Sequence, residues 1–501
     1  MKSIRHLAIA AGIFCGTISH ADVTAQQVWN NWTDQMAVYG QEFTTSGEEL
    51  SGNTLTVSGL KIQMLDAEAS IAAELGDIAL TENGDGTVKI TIGTSYPIKV
   101  DLTPQIGDPV TINITVLQSN MILKVSGVPD AMIYDISADS YGIHVDSIDG
   151  DQSVELVDVA ITMLDLSGTF SVNEAALTRI AYFFNVGALD INAHLNETDQ
   201  GGIVQANADI ANLSMFTNIV VPMDVDLNAE MPPFGDGLAM EGGYSFGETA
   251  YSFNYDFVDD TGSGSASIEG GGLEFSFDMD QAEYKTETYG IDVNLSILNE
   301  IPIPLQASIA KYGFQVLVPL SQGEDGPRDA RLAFNLTDLS ISELLWNIID
   351  PSSILPRDPV TVTFGVDAQV TPSFDFLDPT QKEAAMMSNI PGNVNGVQIS
   401  ELTVSGAGAE ITGNGAFTFD YTDLITFDGF PRPEGQASFA INGINGLVEK
   451  LIKIGLIPAD QAMMPRMMLG MFATPVGDDM LKSTIEFNAE GHVLANGQRL
   501  R

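Results

Sequence analysis

Period-two alternation constrains this chain more than any other feature it contains. Thr54-Leu55-Thr56-Val57, Thr87-Val88-Lys89-Ile90-Thr91-Ile92 and Val110-Thr111-Ile112-Asn113-Ile114-Thr115-Val116 put apolar and polar side chains on opposite sides of an extended backbone. The same texture runs through Ile143–Val145, Val154–Met163, Ile203–Ala208 and the whole second half. Clusters of Gly, Asn and Asp separate the runs, and Glu82-Asn83-Gly84-Asp85-Gly86 is a hairpin signal. Strands joined by short turns pair antiparallel. The expected fold is therefore mainly β: an extended, curved, mostly antiparallel sheet with a few short amphipathic helices packed on it.

Helical periodicity interrupts this pattern in few places. Val28, Trp32, Met36 and Tyr39 recur at helical spacing within residues 23–39, with Trp29 on the flank, and predict a helix lying over the sheet. Shorter helices are expected at Glu174–Phe184, Ile341–Ile349, Thr380–Ser388, Ile444–Ile454 and Ala459–Phe472. Two of these sit in similar units. Leu332–Leu336 leads into Ile341–Ile349 and then Ile354-Leu355-Pro356, and Ala437–Ile441 leads into Ile444–Ile454 and then Leu456-Ile457-Pro458. Glycine-led strands such as Leu166-Ser167-Gly168-Thr169-Phe170 and Ile411–Phe417 form a second family, and together they suggest a sheet built by reiteration. Met231-Pro232-Pro233-Phe234-Gly235-Asp236-Gly237 marks a boundary between N-terminal (22–230) and C-terminal (231–501) β-rich regions, which can equally form one continuous domain. Ser321–Asp329 reads as a long loop.

The first residues bear on compartment. Met1–His6 is short and positive, Leu7–Ile18 is apolar, and Ser19-His20-Ala21 has small side chains where a signal peptidase cuts. This order predicts a secretory signal, residues 1–21, removed after Ala21 to leave a periplasmic protein. The one cysteine, Cys15, would leave with it, and with it any disulfide or thiolate chemistry. No later run is apolar and long enough to predict a spanning helix. Removal of Lys2 and Arg5 would move the balance from 20 to 18 basic residues against 67 acidic ones. Between Lys124 and Lys285 the sole basic side chain is Arg179. Such a surface repels phosphate backbones, so nucleic acid is not an expected partner.

Motifs for chemistry are sparse, and no catalytic residue, metal ligand or cofactor site is assigned. His144, His194 and His492 lie far apart and complete no zinc motif. Asp260-Thr261-Gly262-Ser263 matches the core of an aspartic-protease loop, but that chemistry needs two carboxylates and the tetrapeptide occurs once, within a turn-like Gly/Ser stretch. Asn83-Gly84-Asp85-Gly86 and Asp149-Gly150-Asp151 are fragments of calcium loops that do not complete the ligand spacing. More informative is Tyr251, Phe253, Tyr255 and Phe257, four rings on alternate positions and thus on one face of a strand, with Phe275 and Phe277 expected opposite. Something apolar must cover them, either the protein itself or a ligand. Met463, Met464, Met467, Met468 and Met471 crowd a short segment with Pro465 as a kink. Methionine suits an adaptable apolar surface or a gap-filling core helix, and the second reading is preferred.

Ser51–Leu60 and the closing Gly491-His492-Val493-Leu494-Ala495-Asn496-Gly497 resemble the uncharacterised bacterial envelope proteins grouped as domain of unknown function 2125. The strand texture is more distantly similar to AsmA-like envelope proteins, whose long curved sheets are thought to guide lipids. The resemblance implies a non-catalytic envelope protein and supplies no active-site residues. The resulting expectation is a periplasmic protein holding a lipid or other apolar molecule on a sheet groove, with Tyr251, Phe253, Tyr255, Phe257, Phe275, Phe277, Met463, Met467 and Met471 facing it, or scaffolding another envelope protein. Three rivals stay open: an outer-membrane β-barrel, a calcium-stabilised adhesive β-protein, and a hydrolase with a site of dispersed acids.

Overall fold

In the computed structural model, residues 22–501 are described apart from 39, 67, 104–107, 151–153, 175–176, 198–200, 223–236, 298–300, 324–325, 379, 382–384, 386 and 389–390. The expected signal segment and most of the Pro/Gly-rich boundary lie outside the described residues, as does much of Thr380–Ser388.

The alternating runs form one large antiparallel sheet of 26 strand segments. Its logic is a meander in which each long strand pairs with the one before and the one after it. Val154–Glu174 pairs with Ala131–Asp149 on one side and Leu177–Glu197 on the other. Gly202–Pro222 pairs with Leu177–Glu197 and then with Ala239–Phe246 and Thr249–Asp256. Pairing is thus continuous from the N-terminal region into the C-terminal one. Thr261–Phe277, Gln281–Ile297, Ile301–Pro319, Arg328–Ile341, Val360–Pro372, Gly392–Gly406, Ala409–Asp420, Arg432–Asn442 and Met480–Phe487 follow in turn. Among the described residues no pairing joins the first strands to the last. The leading edge, Gly47–Ser51, is exposed and carries Glu48 and Glu49, charges that discourage a second chain from adding there.

The N-terminal helix forms at Ala25–Val38. Its start is a capping box: the Gln27 N–H donates to Thr24 Oγ1 (3.3 Å), and the Thr24 N–H donates back to Gln27 Oε1 (2.9 Å). Fourteen residues are marginal as an isolated helix, so burial has to hold it. Val28 and Trp29 are almost fully buried against Leu55, Val57, Leu60, Ile78, Leu80, Val88, Ile90, Val125 and Tyr134, and these make the main core. Each such side chain contributes roughly 1.5–3 kcal/mol. Trp29 packs edge-on against Phe43 with ring centres 5.7 Å apart, and its Nε1 donates to Glu48 Oε1 (3.0 Å). The Tyr134 hydroxyl donates to Asn31 Oδ1 (2.7 Å), and burial pushes its pKa up.

Glu343–Ile349 and Ile444–Lys453 are helices directly following strands, and Met463–Phe472 is a third. Glu174–Phe184 is not helical: it spans the ends of two strands. Its apolar residues suit either period over so short a stretch, and pairing decides between them. Tyr182 lies opposite Phe170 with the rings stacked 4.9 Å apart, and Phe184 covers Gly168. Pro465 falls in the first turn of its helix, where the missing N–H is unpaired anyway, so it starts the helix and does not kink it.

Candidate functional site

Because neighbouring strands pair in register, side chains directly opposite one another line up in rows across the sheet. One row begins beneath the N-terminal helix with Leu55, Leu80, Ile90, Leu123 and Ile136. It continues through Gly168, Phe184, Met215, Tyr244 and Leu273. It then runs through Thr286, Phe314, Phe334, Phe364 and Leu402. Thr286 is the single polar member in fifteen strands. A parallel row contains Val88, Val125, Tyr134, Phe170 and Tyr182, then Phe275, Tyr284, Val316, Leu332, Val366 and Ile399. At a strand spacing of about 4.8 Å, fifteen strands carry the apolar row some 65 Å.

The intervening positions face the other way and are polar. Asn218, Glu241, Ser276 and Glu283 lie in one such row, followed by Leu317, Arg331, Asp367 and Gln398. Arg331 pairs with Asp367, Lys311 with Glu287 (3.1 Å), and Gln315 Nε2 donates to Glu283 Oε1 (2.7 Å). Leu317 is an apolar exception in that row, and Phe183 and Phe216, opposite each other, are two more on this side.

Three of the long strands keep their apolar face through a shared irregularity. Asp165, Asn212 and Asp338 have φ of +53°, +52° and +53°, the left-handed region that bulge residues adopt. Across each, apolar positions are three residues apart: Met163 and Leu166, Ile210 and Leu213, Leu336 and Leu339. Without that extra residue, strict alternation would carry one half of each of these strands onto the polar side. Gly187 lies between Asp165 and Asn212, and Gly290, at φ +58°, carries the seam onward. Beyond it the apolar rows resume, as in Tyr96, Val116, Ile143, Ile161, Ile191, Ala208, Tyr251, Ala266, Val293, Ala307 and Ile341.

Comparison with protein-family models, characterised proteins and solved structures finds no match. The reading of the site therefore rests on its own geometry.

The N-terminal helix covers only the start of these rows. Further along, large side chains on the apolar face are open: Met215 is 42% exposed, Tyr251 40% and Phe253 39%, and Met240, Tyr244, Tyr284, Tyr312 and Leu332 are comparable. Tyr251, Phe253 and Tyr255 stand on one face of Thr249–Asp256, over Ala266, Gly264 and Gly262. Those glycines make room, since a Cβ on Gly264 would lie 2.3 Å from Phe253 Cε1. Phe257 follows the strand, packs on Tyr255 at 5.7 Å and lies over Gly202. Phe275 and Phe277 belong to the same apolar face but across the seam, opposite Gly242 and Met240, so they do not answer Tyr251–Phe257 directly. About ten residues of extended strand, some 30 Å, separate the two groups.

Met463, Met467 and Met471 do not reach this face, and their helix is not a core helix. Its small end residues, Ala462 and Ala473, are buried while the methionines project outward, 71% exposed at Met463 and 50% at Met468. Asp260 closes the turn between Thr249–Asp256 and Thr261–Phe277, accepting from the Tyr255 hydroxyl at 3.3 Å. Asp85 accepts from the Thr87 hydroxyl (2.6 Å), which holds its carboxyl below the usual range and forms a turn. Among the described residues no group of three His, Cys, Asp or Glu side chains is placed to hold a metal. No helix of the described residues is long and apolar enough to cross a membrane. A depression of about 500 Å³ near the seam is lined by Asp190, Asp209, Glu248, Glu269 and Asp292 together with small and apolar residues such as Ala188, Ile210 and Ile268.

Sequence reasoning found parts of two strands of the face, Thr249–Asp256 and Thr261–Phe277, and missed its extent. The missed residues include Phe184, Met215, Tyr244, Phe314, Phe334 and Phe364. A local signal did exist: Leu164-Asp165-Leu166-Ser167, Ala211-Asn212-Leu213-Ser214 and Thr337-Asp338-Leu339-Ser340 repeat one pattern at the seam.

Proposed function

We propose that this is a non-catalytic, exported envelope protein that holds long-chain lipids against the apolar face of its sheet. The observation that carries this reading is the long apolar row from Leu55 to Leu402, interrupted by one polar side chain, Thr286, open over its middle strands and backed by a polar, acidic side. An acyl chain laid along the row gains roughly 0.8 kcal/mol for each methylene it buries. One chain is about half the 30 Å hydrocarbon thickness of a bilayer, so a row some 65 Å long has room for several in file. Bound chains would cover rings that otherwise stand in water.

The test is native mass spectrometry and lipid extraction of protein purified from its own host. Co-purifying acyl lipid, reduced at least tenfold in a Phe334→Asp/Phe364→Asp double variant that still folds, is the expected result. Wild-type protein that emerges empty, or variants that keep the wild-type load, would overturn the reading.

A further inference from the structure

The helices at one end of the final strands form an apolar rim that the protein leaves open. Glu343–Ile349 and Ile444–Lys453 follow strands that end on the same side of the sheet, and the segment after the first approaches the second at Gly408, where a Cβ would lie 3.0 Å from Pro356 Cγ and 3.5 Å from Lys450 Nζ. Arg466 Nη2 reaches Glu449 Oε1 at 3.4 Å and ties Met463–Phe472 to the same group. Ile348, Leu456, Met463 and Met467 project from this rim into solvent. The rim is also continuous with the lipid face. Ser483, opposite Phe439 on the last long strands, donates its hydroxyl to the Phe472 carbonyl at 2.7 Å, so the helix ends over the close of the rows.

Charge singles out one occupant. Seven basic residues fall between Arg432 and Arg501, matched by seven acidic ones, whereas Arg179 is the single basic residue between Lys124 and Lys285. On the three helices themselves Lys450, Lys453 and Arg466 stand against Glu343 and Glu449, so a chain of formal charge −47 carries no net negative charge on them. Anionic head groups would repel the rest of the surface and admit this end. We infer that the rim docks on an anionic phospholipid bilayer surface, with the methionines entering the head-group boundary. The inference rests on the lipid-holding reading for its purpose, since docking would place the open end of the face against a lipid source, but its test is separate.

The experiment is co-sedimentation of the full chain with phosphatidylcholine vesicles and with 3:1 phosphatidylcholine:phosphatidylglycerol vesicles. Binding to the anionic vesicles alone is expected, at least tenfold weaker for Met463→Ser/Met467→Ser/Met471→Ser and for Lys450→Glu/Lys453→Glu. The methionines and Lys453 are exposed and Lys450 is half-buried at the surface, so the fold and any co-purified lipid should be unchanged. Met467→Trp adds a readout in folded protein, a blue-shifted emission with anionic vesicles. Absence of sedimentation, equal binding by both variants, or self-association in place of vesicle binding would each overturn the inference. Vesicle binding by protein that carries no lipid would sustain it while removing the cargo reading.

Discussion

The two ends of the sheet treat the same apolar face in opposite ways. At the N-terminal end a helix lies on it, with Val28 at 0% and Trp29 at 2% exposure. At the C-terminal end the methionine helix reaches the sheet through small residues and a Ser483 hydrogen bond, and turns its long side chains outward. Between them the rows keep the same chemistry without a cover. The contrast teaches that the exposed middle is no failure of the chain to make amphipathic helices. It makes one that fits, and places it over the first strands only. Because the helix sits on the rows that later lie open, it marks where an apolar occupant would have to stop.

The sharpest way to break this comparison is to put the same charge into both helices. Val28→Asp buries an unpaired carboxylate in the main core and should cost on the order of 3–5 kcal/mol. Met467→Asp meets solvent and should stay within about 0.5 kcal/mol of the wild type. Urea unfolding followed by far-ultraviolet circular dichroism measures both. Similar losses in the two variants would mean that the ends are not different in kind.

The contrast was only half legible in the sequence. Alternation disclosed the strands, and the spacing of Val28, Trp32 and Met36 disclosed the helix above them, because both periods are local. Glu174–Phe184 was misread because its partner, Phe170, lies across a turn, and which face Tyr182 takes depends on that pairing. The long rows were invisible for the same reason: a row exists only when more than a dozen strands agree in register, and a window of sequence holds at most two or three of its members. The methionine segment gave the right secondary structure and the wrong environment. Nothing in a run of methionines says which side a neighbouring sheet will offer.

A subtler break lies at the seam, which makes the two ends share one face at all. Asn212 holds φ +52°, a conformation Asn tolerates and a β-branched residue does not. Asn212→Val should therefore cost about 1–2 kcal/mol, while Asn212→Gly stays near neutral. If the seam sets the apolar phase, the valine variant should also bind more of an environment-sensitive apolar dye, as part of Gly202–Pro222 is displaced. A valine variant as stable as the glycine one would show that the left-handed residue is dispensable.

The smallest expected effect concerns how each end is fastened. The N-terminal end rests chiefly on apolar burial, which does not titrate, with the Glu48 and Glu82 carboxylates accepting from Trp29 and from the Ala25 N–H at its margin. Near the C-terminal end, Arg432 is clamped by Asp420 at 2.8 Å and by Asp423 at 3.4 Å. Hydrogen bonds from the Thr422 hydroxyl and N–H, and then from Arg432, bring Asp420 down from 3.8 to about 2. A carboxylate depressed on folding adds stability above its unfolded pKa and loses it as pH falls through the folded one, so the window runs from about pH 4 to about pH 2. The group is exposed and screened, so the effect on the whole protein is slight. It should show in hydrogen exchange as faster opening of Ala409–Asp420 and Arg432–Asn442 at pH 2.5 than at pH 5, after correction for intrinsic rates, with a smaller change in the core strand Thr54–Leu65. Asp420→Asn should remove most of that difference. Equal acid sensitivity of the first and last strands would mean that both ends are fastened alike.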